Sequence, residues 1–179
     1  GDGVANADDN CPAVANPLQE DTDVNTTPVA SPGTFALRPV PTTAIFDTGG
    51  KECDDGVSAP LAIGFPFEFF GQPVTTFNAF VNGLITFGDT SENGCCEGGP
   101  IPDPGSPNAA IALYWVDLNA CDGGTFTYGT TGTAPDRELV IAWAGVPHYS
   151  AGGAPLTGQI VLHETSNRIE LLCGDCTSD

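Results

Sequence analysis

Apolar and polar residues alternate in short segments from residue 43 onward, and no segment has the 3.6-residue apolar period of an amphipathic helix. Alternating or short apolar runs predict strands, and Gly, Pro and Asn between them predict tight turns. The predicted strands and strand pairs span residues 43–49, 61–71, 77–88, 109–118, 124–131, 138–146, 159–165 and 168–173. Many short strands joined in this way predict an all-β fold, a β-sandwich or jelly-roll-like domain.

Three segments predict more specific features. Two apolar runs flank Asn82-Gly83, the residue pair that suits a type I′ hairpin turn. The run at 109–118 is apolar throughout, as expected of a strand buried on both faces, so Trp115 is predicted to lie in the core, and Trp143 with it. Ser166-Asn167 is expected to form a turn between the last two strands.

The chain divides into three parts by composition. Residues 1–23 contain acidic but no basic residues and have no apolar periodicity, so they cannot fold without a ligand, a neighbour or a disulfide. Residues 24–42 are rich in Pro and Thr and are predicted to be an extended linker or arm. Residues 43–179 form the predicted β domain, so the fold expected is a disulfide-stapled β domain with an irregular N-terminal arm.

The charge balance restricts the partners. Four basic residues face 23 Asp and Glu, which gives a formal net charge of −19. Nucleic-acid binding requires a basic surface, and docking on anionic lipid requires the same, so both are excluded. No apolar run is long enough for membrane insertion. A divalent cation is the favoured partner. Each Arg is expected to pair with a specific carboxylate, and Asp117 is a candidate partner for Arg137 or Arg168.

The acidic N-terminus has the residue types of a calcium loop, in which oxygen ligands alternate around a glycine. Asp2 would be a side-chain ligand, Gly3 would make the sharp turn and Val4 would offer its carbonyl. Asn6 would supply a side chain or a bridging water, and Asp9 the closing carboxylate. Asp21 and Asp23 could begin a second loop. The predicted ligands of Ca²⁺ are therefore Asp2, Val4, Asn6, Asp9, Asp21 and Asp23.

The same segment, GDGVANADDNCPAVANPLQEDTD, resembles a thrombospondin type 3 repeat through its DNCP and NPLQ-x-D-x-D blocks. The resemblance covers about residues 1–23. It implies that the acidic residues bind calcium and that Cys11 is a structural half-cystine. Asn6 stands where the repeat usually has Asp, and the acidic positions that precede Asp2 in the repeat are missing.

The β domain carries a second resemblance. The blocks FPFEFFGQPVTTFNAFVNGLITFG, PNAAIALYWVDLN, PDRELVIAWAGVPHY and GQIVLHETSNRIEL are similar to the nidogen-like domains of extracellular proteins, of the bacterial surface-protein type. The resemblance covers residues 61–173. It implies a role in the extracellular matrix or in cell-surface adhesion and brings no established set of binding residues.

The cysteines indicate an oxidising compartment. They are Cys11, Cys53, Cys95, Cys96, Cys121, Cys173 and Cys176. Cys53, Cys95, Cys96 and Cys121 are expected to form two bridges that fasten the long loop 89–107 to its neighbours, with a Cys95–Cys96 bond as the lower-ranked alternative. Cys173 could close on Cys176, and Cys11 could reach Cys176 or another chain. Connectivity is not fixed by sequence.

The preferred hypothesis is a secreted or cell-surface structural or adhesive module that calcium and disulfides make rigid. One version is a self-associating subunit of an extracellular polymer or filament, with protein or glycan partners that the sequence does not identify. The alternative is a carbohydrate-binding accessory module of a secreted protein. No catalytic residue is assigned and no enzyme is expected, because His148 and His163 have no adjacent nucleophile motif.

Overall fold

The computed structural model describes residues 36–46, 51–91, 95–96, 98–99, 101, 105–150 and 153–176. The chain forms two compact units, one of residues 1–32 with 70–72 and one of residues 33–69 with 73–179. Nearly all described residues belong to the second unit, the β domain. The predicted calcium ligands and Cys11 lie outside the described residues.

Nine strands are present in the described part of the chain, and they form two sheets. The strands are β1 (Thr43–Ala44), β2 (Leu61–Phe69), β3 (Gln72–Phe80), β4 (Leu84–Thr86), β5 (Ala110–Ala112), β6 (Thr125–Thr131), β7 (Glu138–Val146), β8 (Leu156–His163) and β9 (Ile169–Asp175). The five-stranded sheet has the order β1-β6-β7-β8-β9, and the four-stranded sheet has the order β2-β3-β4-β5. One 3₁₀ turn, Lys51–Cys53, precedes β2, and the described residues include no α-helix. The all-β prediction is confirmed.

The alternation of the sequence determines which face of each strand is buried. In β2, Ile63, Phe65 and Phe67 are buried and the residues between them are exposed. In β7 every residue from Leu139 to Trp143 is buried, because both of its faces are covered. Inward residues of both sheets join in one hydrophobic core. A second, smaller cluster of Val140, Val161 and Leu172 lies on the opposite face of the five-stranded sheet.

Trp143 connects the two sheets. Its side chain is fully buried, stacks on Phe126 with ring centroids 4.7 Å apart, and donates a hydrogen bond from Nε1 to the carbonyl of Val81 over 2.9 Å. The core prediction is therefore confirmed for Trp143. Trp115 differs: it is only partly buried and has a φ of 66°, a strained backbone conformation for a bulky residue.

The segment 109–118 is a strand only at Ala110–Ala112. Beyond it the backbone passes over the β3–β4 hairpin, where the amides of Leu113 and Tyr114 both donate to the carbonyl of Gly83. The prediction of a long strand is wrong here because a continuous apolar run shows burial without showing backbone conformation.

The β3–β4 hairpin itself is confirmed, with Val81, Asn82 and Gly83 between the strands. Of Asn82 and Gly83, only Gly83 has a positive φ, 88°, so the turn is not the predicted type I′. A Cβ at Gly83 would lie 3.0 Å from the backbone nitrogen of Trp115, so a side chain at this position would crowd the crossing segment. The predicted turn at Ser166-Asn167 is present between β8 and β9.

Each arginine pairs with a carboxylate, as predicted. Arg137 pairs with Glu164, Arg168 with Glu170, and Arg38 with both Glu138 and Glu170. Asp117 is not the partner of Arg137 or Arg168. Among the described residues, no helix is long and apolar enough to cross a membrane.

Candidate functional site

One region of the β domain concentrates cysteines and acids. Cys53 forms a disulfide with Cys121, which lies 68 residues further along the chain. The Cα atoms of the two cysteines are 5.1 Å apart. The amide of Ala120 donates to the carbonyl of Cys53 over 2.8 Å, so backbone bonding accompanies the disulfide. Asp54 and Asp122 directly follow the two half-cystines in the sequence. The bond therefore holds two acidic loops against each other.

The other described cysteines pair locally. Cys95 is bonded to Cys96, and Cys173 to Cys176. The first pairing differs from the expected one, in which Cys95 and Cys96 would fasten the long loop to neighbouring segments. Only the Cys53–Cys121 bond links distant parts of the chain within the described residues.

The Cys95–Cys96 pair lies beside two carboxylates. One ligand atom each from Asp55, Asp117, Cys95 and Cys96 can be chosen so that all four lie within 4.8 Å of one another. Carboxylate oxygens suit a hard divalent cation, whereas sulfur binds metals as thiolate and not when it is in a disulfide. In the oxidised protein the cation-binding capacity of this group therefore belongs to Asp55 and Asp117.

Asn82 positions Asp55 from the hairpin turn. Its side chain is fully buried, and its Nδ2 donates to Asp55 Oδ1 over 2.9 Å. Its Oδ1 accepts the amide of Leu118 over 2.8 Å. Because Leu118 follows Asp117 in the sequence, one amide side chain fixes the backbone beside Asp117 and the carboxylate of Asp55 together.

The carboxylates of this region repel one another. Burial raises the pKa of Asp54, and the charges of Asp55, Asp117 and Asp122 raise it further. Burial and then Asp55 likewise raise the pKa of Asp117, against a smaller lowering by His148. Asp54 Oδ1 is buried without a hydrogen-bond partner. A bound cation or proton would relieve this repulsion.

The two histidines lie in different surroundings. His148 pairs with Leu118 in an isolated antiparallel β-bridge. The ring of His148 lies edge-on to the ring of Tyr114, with centroids 6.0 Å apart. His163 lies on β8 between Glu138 and Glu170. The histidines therefore contact different sets of residues.

Sequence reasoning did not identify Asp54, Asp55, Asn82 or Asp117 as one site. The available signal was the position of acidic residues next to Cys53 and Cys121, which become neighbours only once the disulfide partner is known. The sequence predicts only a turn role for Asn82, because its bonds to residues 27 and 36 positions away leave no local pattern.

A family model described as NIDO related matches residues 27–179. The chain belongs to the NIDO-related family. The match confirms the nidogen-like resemblance of the β domain, and with the disulfides it indicates an extracellular module. The NIDO-related region begins after the segment that resembles a thrombospondin type 3 repeat, so that repeat stays a prediction. Neither the curated proteins nor the solved structures gave a match.

Proposed function

We propose that this NIDO-related protein is a secreted or cell-surface structural and adhesive module that calcium and disulfides make rigid. The observation that carries the proposal is the family match over residues 27–179. The two-sheet core and the disulfide between Cys53 and Cys121 support a mechanical role, because a covalent link between distant segments limits unfolding. Self-association into a filament or other polymer is the version that we favour.

Calcium is proposed to bind the N-terminal segment through Asp2, Val4, Asn6, Asp9, Asp21 and Asp23. The support is the spacing of these oxygen-bearing residues and the resemblance to a thrombospondin type 3 repeat. The net charge of −19 favours cation uptake generally, and each Ca²⁺ cancels two negative charges.

A carbohydrate-binding module is the second candidate, and one observation favours it. Tyr149 is 58% exposed, and its backbone amide donates to the carbonyl of Asp117 over 3.0 Å, so an exposed aromatic residue is anchored at the backbone of the acidic region. Sugars are bound by stacking on such rings. Binding on a glycan array that the Tyr149→Ala variant loses would favour this function over the structural one.

The calcium and disulfide proposal is tested by thermal unfolding of the whole chain, with calcium or a chelator and with or without a reductant. Chelation is expected to lower the melting temperature, because an ion that binds only the folded state stabilises it by mass action. Reduction is expected to lower it as well, since loss of a native disulfide costs roughly 2–5 kcal/mol. Size-exclusion chromatography in calcium is expected to show species larger than the monomer.

Two pairs of substitutions locate the ion. Asp21→Asn with Asp23→Asn is expected to abolish most of the chelator effect, whereas Glu68→Gln with Asp136→Asn removes the same charge from exposed positions of the β domain and is expected to retain it. A melting temperature that neither chelation nor reduction changes would contradict the proposal. A monomer at every concentration would contradict the polymer version.

A further inference from the structure

Residues 36–42 are the described part of the predicted arm, and "the arm" below means these residues. They cross the outer face of the five-stranded sheet. Gln159 of β8 holds the backbone of Arg38 at two points: its Oε1 accepts the Arg38 amide over 2.8 Å, and its Nε2 donates to the Arg38 carbonyl over 2.8 Å. Gln159 is itself buried, so the arm is held by side-chain hydrogen bonds from within the sheet and not by strand pairing.

Two glycines of the sheet leave room for the arm. A Cβ at Gly129 of β6 would lie 3.2 Å from Pro41 Cβ, and a Cβ at Gly174 of β9 would lie 2.9 Å from Leu37 Cδ1. The contacts therefore extend from β6 through β8 to β9. The sheet is shaped to receive these particular residues of the arm.

The side chain of Arg38 ends in a network of charges. Its guanidinium donates to both oxygens of Glu138 over 2.9 and 3.2 Å, and to Glu170 Oε2 over 2.8 Å. Glu138 lies on β7 and Glu170 on β9. Arg38 therefore joins the arm to the strands on both sides of β8.

His163 lies between the same two carboxylates. It is paired with Glu138 in the β7–β8 register, and its Nδ1 is 3.3 Å from Glu138 Oε1. Its Nε2 is 3.2 Å from Glu170 Oε1 and 3.2 Å from Arg168 Nη2. The charged groups that face His163 are thus Glu138 from β7, Glu170 and Arg168 from the last hairpin, and Arg38 from the arm.

A proton on His163 changes the balance of this network. With a neutral ring, two arginines face two glutamates and the charges cancel. The neutral ring has one N–H donor and one acceptor, so Nε2 can accept from Arg168 while Nδ1 donates to Glu138. A protonated ring has two N–H donors and adds a third positive charge. It therefore competes with Arg38 for the carboxylates of Glu138 and Glu170.

We propose that His163 is a proton-operated latch for the arm, which closes the arm on the sheet when the ring is neutral and releases it when the ring is protonated. Burial lowers the pKa of His163 most, the positive charges of Arg168 and of Arg38 in the arm lower it further, and Glu170 and Glu138 oppose them. A histidine whose pKa is depressed in the closed form favours that form above its ordinary pKa of about 6.5, and the advantage is lost as the pH falls. Mild acid therefore releases the arm.

The latch is tested by ¹⁵N NMR of the whole chain at pH 7.5 and pH 5.5. The Arg38 amide and the side-chain amide of Gln159 report closure, and the ring nitrogens of His163 report protonation. We expect the protection factor of the Arg38 amide, corrected for intrinsic exchange, to be lower at pH 5.5 than at pH 7.5, because the protonated ring favours the released arm. The Gln159 and His163 signals are expected to change with the same midpoint.

Two histidine variants supply the comparison. His163→Gln is expected to keep the Arg38 amide protected at both pH values, whereas His148→Gln is expected to respond like the unaltered protein. Equal protection of Arg38 at both pH values in the unaltered protein would overturn the latch. So would different midpoints for Gln159 and His163, a measurement that stands even if His163→Gln does not fold. The latch does not depend on the proposed function.

Discussion

At the scale of single residues, Asn82 shows how one buried amide organises the acidic region. It donates to Asp55 and accepts from Leu118, and its own carbonyl accepts the amide of Val116 over 3.2 Å. The pattern Asn-Gly correctly predicts a hairpin, because that preference is local. The contacts with Asp55 and Leu118 could not be predicted, since they depend on how distant segments pack.

Asn82→Ala is expected to lower the free energy of unfolding by roughly 1–3 kcal/mol, because the buried Leu118 amide loses its acceptor. Chemical denaturation measures the change. Asn108→Ala is the matched control at an exposed position, where we expect a change within about 0.5 kcal/mol. Equal destabilisation by both substitutions would show that the Asn82 contacts contribute nothing specific.

At the scale of elements, the sequence predicts the long strands bounded by turn residues best. β6 and β7 begin and end within a residue of their predicted bounds, because both are rich in β-branched and aromatic residues and are flanked by Gly, Pro or Asp. The prediction is poorest at 109–118, where Asn82 and Gly83 supply the hydrogen bonds that a neighbouring strand would otherwise provide. An apolar run does not show whether a neighbouring strand or a turn supplies the hydrogen-bond partners of its backbone.

The contact between Trp143 of β7 and Val81 of the β3–β4 turn ties the two sheets together. Trp143→Phe is expected to cost roughly 1–3 kcal/mol in denaturant unfolding, because it leaves a buried carbonyl without its donor. Trp115→Phe removes the other tryptophan, which is only partly buried, and is expected to cost less. The tryptophan interpretation fails if Trp115→Phe is the more destabilising of the two.

At the scale of the whole molecule, composition predicts the class of the protein more closely than its site. An acidic, cysteine-containing all-β chain indicates an extracellular module, and the NIDO-related match agrees with that class. The pairing of each arginine with a carboxylate was predictable because cations are so few. Which carboxylates they choose was not, because Glu138, Glu164 and Glu170 become neighbours of the arginines only after the strands have taken their register.

The disulfide between Cys53 and Cys121 closes a covalent ring that contains β2, β3, β4 and β5, the entire four-stranded sheet. A protease that cuts inside this ring opens it without dividing the molecule. Cleavage after Glu92 or Glu97 should therefore be invisible on a non-reducing denaturing gel and should yield two fragments once reductant is added. Tryptic cleavage after Arg137, outside the ring, should separate the fragments under both conditions. A chain built in this way keeps the segments on the two sides of the ring covalently connected after a cut in the loop between β4 and β5.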